Sequence, residues 1–237
     1  MTSPSSSPGE RRPAGTPDAP LLVVHGEAEL EVEPELARIA VMVSARGRDR
    51  RSTLDDLTRR NAAALDLIKS YGDAVARLST GVFSVAPELA ERGRGERVRS
   101  YQGRVQLTAE FTDFTVLGEL VTRLADLELT RVDGPWWSLR PDSSVHGEAR
   151  RRAVADAVQR AREYASALGT SLAALVELAD TGTEGEEPYR AKFDRGIRRM
   201  AAAADFAEAA EPLDLEPPRL RVTARVGAQF TMAPPRL

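Results

Sequence analysis

Cysteine is absent from this 237-residue chain. That excludes disulfides, thiol nucleophiles and thiolate metal sites. Histidine occurs twice, at His25 and His146, and neither belongs to an HExxH-type pattern, so both are read as structural or surface residues. Aromatic residues are 5% of the chain, so its core must rest on Val, Leu, Ala and Ile. Lysine occurs only at positions 69 and 192, so nearly all basic charge is arginine; that bias is read as genome composition, not phosphate recognition. No apolar run reaches the ~18–20 residues of a membrane helix, and none in residues 1–20 resembles a secretory signal. These absences place the chain in the cytoplasm, with no membrane partner.

What is present is ordinary for a globular domain: 42% hydrophobic and 29% charged residues, with a net charge of −3. The acidic balance argues against nucleic acid as a partner. Residues 1–20, rich in Ser, Pro and Gly, are expected to be a disordered tail. Alternation through Leu22, Val24, Ala28, Leu30 and Val32, then Ile39, Val41 and Val43, gives two strands parted by Pro34 and read as a hairpin. Gly26 marks a bulge or a close approach. Ser52 or Thr53 caps a helix ending near Gly72. Further strands are expected at 77–91, 101–112, 130–139, 173–181 and 220–232. A short helix at 114–127 starts from Asp113. The longest helix opens at Asp142, Ser143 or Ser144 and carries Ala153, Ala157, Ala161 and Ala165 on one face.

Hairpins broken by helices indicate an α+β fold of two lobes with mainly antiparallel sheets. The expected division puts residues 21–99 and 213–232 in a first lobe, closed by the N- and C-terminal strands. A ferredoxin-like second lobe, residues 100–181, is inserted into it, and residues 182–212 form a mobile excursion.

Four stretches together resemble the SIMPL-domain family. They are Gly26-Glu27-Ala28-Glu29 running on to Val32-Glu33-Pro34-Glu35-Leu36-Ala37-Arg38-Ile39; Thr80-Gly81-Val82-Phe83-Ser84-Val85-Ala86-Pro87, followed after a gap by Tyr101; the alanine-rich helix through Asp156 to Gly169; and the ending 212–230. The resemblance implies two α+β lobes, no agreed catalytic residues or cofactor, and ring-like homo-oligomers in some periplasmic members. It also brings varied links to oxidative-stress tolerance, immunogenic bacterial proteins and an animal signalling protein. Most bacterial relatives carry a signal peptide, which this N-terminus does not show.

No residue set assembles into a catalytic site. Glu27, Glu29, Glu31 and Glu33 share one strand face, a solvated surface with a weak cation site as the residual reading. Arg92, Arg94, Arg97 and Arg99, and Arg150, Arg151 and Arg152, are read as solvated or protein-contacting. Trp136 and Trp137 must point to opposite faces of a strand, serving as packing or as a subunit interface together with Tyr101. The expectation is a non-enzymatic protein acting through self-association and contacts with another protein. The alternative is a ligand- or cation-binding stress protein using a cleft between the lobes.

Overall fold

The computed structural model describes residues 15–89, 98–182 and 212–235. Eleven elements follow one another: β1 (Leu21–Val32), β2 (Leu36–Gly47), α1 (Arg50–Lys69), a 3-10 turn (Gly72–Ala74), β3 (Val75–Leu89), β4 (Val98–Phe111), α2 (Leu117–Ala125), β5 (Thr130–Ser138), α3 (Ser144–Ala167), β6 (Leu172–Gly182) and β7 (Leu220–Met232). The strands form two antiparallel sheets, ordered β1-β7-β6 and β3-β4-β2-β5. The fold is therefore α+β with two compact units.

Unit 1 contains β1, α3, β6 and β7. Central β7 buries Val222, Ala224, Val226, Ala228, Phe230 and Met232, every second residue, against α3. The helix answers with Ala149, Ala153, Ala157, Ala161 and Ala165, a stripe at spacing four that keeps one face small. β1 pairs with β7 without interruption from Leu21↔Thr231 to Val32↔Leu220, so the terminal strands do close one sheet. Gly26 is the close approach, not a bulge: a Cβ there would lie 2.1 Å from the Ala153 carbonyl oxygen and 2.5 Å from the Ala157 nitrogen.

Unit 2 contains β2, α1, β3, β4, α2 and β5. The order β3-β4-β2-β5 for a β-α-β-β-α-β chain is the ferredoxin-like arrangement. Its core joins Ile39, Val41 and Val43 of β2 and Val105, Leu107, Ala109 and Phe111 of β4 to Leu57, Ala64 and Ile68 of α1 and Leu117, Leu120 and Leu124 of α2. Gly103 lets α1 approach, since a Cβ there would already lie 3.1 Å from Leu57 Cδ2.

Several expectations need correction. The β1–β2 hairpin does not exist: β1 pairs with β7, while β2 pairs with β4 and β5. Residues 33–35 carry the chain from one sheet to the other. Pro34 lacks an N–H to give to a ladder. An inserted ferredoxin-like unit is present, but it spans residues 33–140, not 100–181, and the described residues 212–219 belong to it and not to the unit closed by the terminal strands. Its first strand is β2, because residues 36–47 bond to β4 and β5. The cap of α1 is Asp49, not Ser52 or Thr53: its carboxylate accepts from the Ser52 N–H at 2.9 Å, and both hydroxyls donate back to Asp49. Asp113 accepts from Thr115 in a turn, and α2 begins at Leu117. Residues 15–20 are structured, since Thr16 bridges Ala19 and the Met232 N–H donates to the Pro20 carbonyl. Residues 1–14 of the expected tail, residues 90–97 with Arg92, Arg94 and Arg97, and residues 183–211 of the expected excursion lie outside the described residues.

Candidate functional site

The glutamates on β1 meet arginines on β7. Glu27 lies opposite Arg225, at 3.8 Å, and Glu29 reaches Arg221 diagonally at 3.0 Å, with Glu31 4.0 Å from the same residue. These side chains are all more than half exposed, so each pair contributes about 0–1 kcal/mol. The acidic face is thus an ion-paired ladder. Among the described residues no cluster of three His, Asp or Glu side chains could hold a metal ion. His25 is exposed on β1, and His146 is half-buried in the first turn of α3.

Asp156 of α3 does what the ladder does not. The Glu27 N–H donates to its Oδ2 at 3.0 Å, and Arg160 Nε bonds the same oxygen at 2.9 Å. A backbone donor of an outer strand is thereby tied to the helix, beside the Gly26 contact. On α3, Arg151 and Arg152 bond to Glu148, which holds that carboxyl below its ordinary range, Arg151 being the larger cause. Arg150 is exposed.

The two tryptophans part as strand geometry requires. Trp137 lies opposite Ala37 on the helix-covered face and meets Phe114 edge-on, with ring centres 4.9 Å apart. Trp136 lies opposite Arg38, whose guanidinium sits 5.7 Å from the ring centre, and it is 37% exposed. Tyr101 does not join them. It pairs with Gly47, nine positions along β2 from Arg38, which separates it from Trp136 by roughly 30 Å. The three aromatics named from sequence are therefore not one surface.

The outer strand β3 carries a more prominent feature. Thr80 pairs with Leu107 and Phe83 with Val105, so four residues of β3 oppose three of β4 and the strand bulges at Gly81–Val82. Phe83 shares a face with the buried Val105 but is 56% exposed, and Val82 is 70% exposed. Adjacent large apolar side chains stand open on a sheet edge, where no other strand among the described residues pairs with the outer side of β3. Further along, Ser100 donates to Glu88 at 2.7 Å, and Arg46 bonds both residues. The Ser100 hydrogen bond, then Arg46, holds the Glu88 carboxyl below its usual range. This cluster fastens β3 to β4 and β2. Alternation reports which face a side chain is on, not whether a helix covers that face, so the exposure of Phe83 is not legible in it.

The sequence profile of the SIMPL family, described as "Protein of unknown function (DUF541)", matches residues 22–230. Two curated proteins are similar over 197 residues at 25% identity, covering 77% of this chain and 74% of each relative. Both are named 26 kDa periplasmic immunogenic protein, one from Brucella melitensis biotype 1 and one from Brucella abortus (strain S19). These names overturn the cytoplasmic placement, which rested only on the composition of residues 1–20 and the missing cysteine: the relatives are periplasmic proteins.

Proposed function

Because this chain belongs to the SIMPL family, we propose that it is a non-catalytic periplasmic protein that works through self-association and contacts with other proteins. The edge of β3 carries the reading: Val82 and Phe83 are exposed side by side at a bulge of an outer strand. Exposed aromatic and aliphatic side chains at a sheet edge favour association. The periplasmic assignment is supported by the relatives' printed names, and fractionation of the native host, probed with antibody, tests it directly.

The assembly is tested by sedimentation velocity of the full chain at tens of micromolar, beside Phe83→Glu. The parent sediments as an oligomer, and the variant shifts towards monomer with an unchanged circular dichroism spectrum. A parent that is strictly monomeric overturns the proposal.

A further inference from the structure

The helix layer of unit 1 is narrower than its sheet. Strands lie about 4.8 Å apart, and a helix with side chains is about 10–12 Å across, so one helix covers about two strands. The alanine stripe and Gly26 draw α3 onto β1 and β7, and it barely reaches β6. On the same face, beyond the reach of α3, Leu175 lies directly opposite Phe230, and Leu172 opposite Met232. Leu175 is 54% exposed although its partner Phe230 is buried.

A groove of about 500 Å³ results, with Val158 and Ala165 of α3 on one wall, Leu172 and Leu175 on the other, and Phe230 beneath. Its size is that of small-molecule sites, about 300–1,000 Å³. Among the described residues, Arg162 is the one charged residue that lines it, and no carboxylate does. Arg160, one turn before Tyr164, is engaged by Asp156, whereas Arg162 has no ion-pair partner among the described residues. The groove has an apolar stretch from Leu172, Leu175 and Phe230, and a polar part from Thr170, Ser171 and the unpaired Arg162; that division is complementary to an apolar tail bearing one anionic head.

We infer that this groove binds a single-chain carboxylate amphiphile of the fatty-acid class. The tail lies along Leu172, Leu175 and Phe230, and the carboxylate accepts hydrogen bonds from the Arg162 guanidinium. The site is separate from the β3 edge, so it stands or falls independently of self-association.

The test is calorimetric titration of the full chain with dodecanoate below its micelle-forming concentration. Dodecanoate binds saturably, one per chain, and dodecyltrimethylammonium, with the opposite head charge, binds at least tenfold more weakly. Arg162→Gln, an exposed position, weakens dodecanoate about tenfold or more and leaves the ammonium amphiphile no weaker. Leu175→Gln weakens both. Phe83→Glu retains parental affinity, which separates this site from the assembly surface. Absence of saturable dodecanoate binding in titrations at two well-separated temperatures overturns the inference. So does an Arg162→Gln variant with parental affinity, or binding only to phosphatidylglycerol vesicles.

Discussion

Two units of one chain solve the same packing problem with opposite materials. Unit 2 fills the space between a four-stranded sheet and two helices with bulky side chains, Phe111, Leu120 and Ile68 among them. Unit 1 presses a single helix onto its sheet by leaving side chains out, with five alanines on α3 and a glycine on β1. In the first case stability depends on volume being present, in the second on volume being absent. The same substitution logic must therefore change sign between them.

The largest expected effect removes volume from unit 2. Phe111→Ala should cost about 3–5 kcal/mol, the transfer term plus the cavity left by a ring that is fully buried. Both tryptophans of the chain lie in unit 2, so urea unfolding followed by fluorescence excited selectively at tryptophan reports on this unit and leaves out Tyr164 of unit 1. Ala157→Gly, a truncation within the stripe of unit 1, should cost only about 1 kcal/mol, mainly through helix propensity. Equal losses from the two would mean that the units are held in the same way, and the comparison would break.

The next effect adds volume to unit 1. Gly26→Ala places a Cβ against helix backbone, which cannot rotate aside, and should cost about 1–3 kcal/mol. Hydrogen exchange of the α3 amides should accelerate accordingly. Gly81→Ala is the control, because its Cβ would meet nothing nearer than the Gln106 carbonyl oxygen at 3.6 Å; its effect should stay within about 0.5 kcal/mol. If both glycines tolerate alanine equally, close approach does not organise unit 1.

The same contrast explains what could be read from sequence. Alternation located β4 and β7, and the alanine spacing located α3, because these are properties of single elements. The closing of one sheet by β1 and β7 was legible too, as were the opposite faces of Trp136 and Trp137. Partner choice was not. A three-residue link, residues 33–35, suits a hairpin as well as a passage between sheets, and strand periodicity specifies a face without naming the neighbour. That is why residues 36–47, and with them α1 and β3, are expected in the lobe of β1 and are found in unit 2. The openings at Phe83 and Leu175 were hidden for a related reason: an apolar residue in register looks buried until the width of the helix layer is known.

The smallest effect is electrostatic, and it too divides the units. Four carboxylates of unit 2 are held below their ordinary values: Asp49 by its hydrogen bonds from Ser52, Asp56 by Arg60, Glu88 by Ser100 and then Arg46, and Asp113 by Thr115. Unit 1 has one such group among the described residues, Glu148, held down by Arg151 and Arg152. A carboxyl whose folded value is depressed stabilises the protein fully above its unfolded value, 3.8 for aspartate and 4.5 for glutamate. That contribution is lost as pH falls through the lower folded value, because the unfolded chain then binds protons more readily than the folded one. Above about pH 5 these groups give no slope in either unit. Below it, the fluorescence-monitored urea midpoint of unit 2 should fall more steeply than the α3 exchange protection of unit 1. The groups are at the surface, so salt should blunt the difference. Asp49→Asn keeps a capping oxygen but removes the titrating group, and should flatten the unit 2 profile while leaving that of unit 1 unchanged. Equal acid slopes in the two units would show that these surface carboxylates do not distinguish them, and the contrast would then rest on packing volume alone.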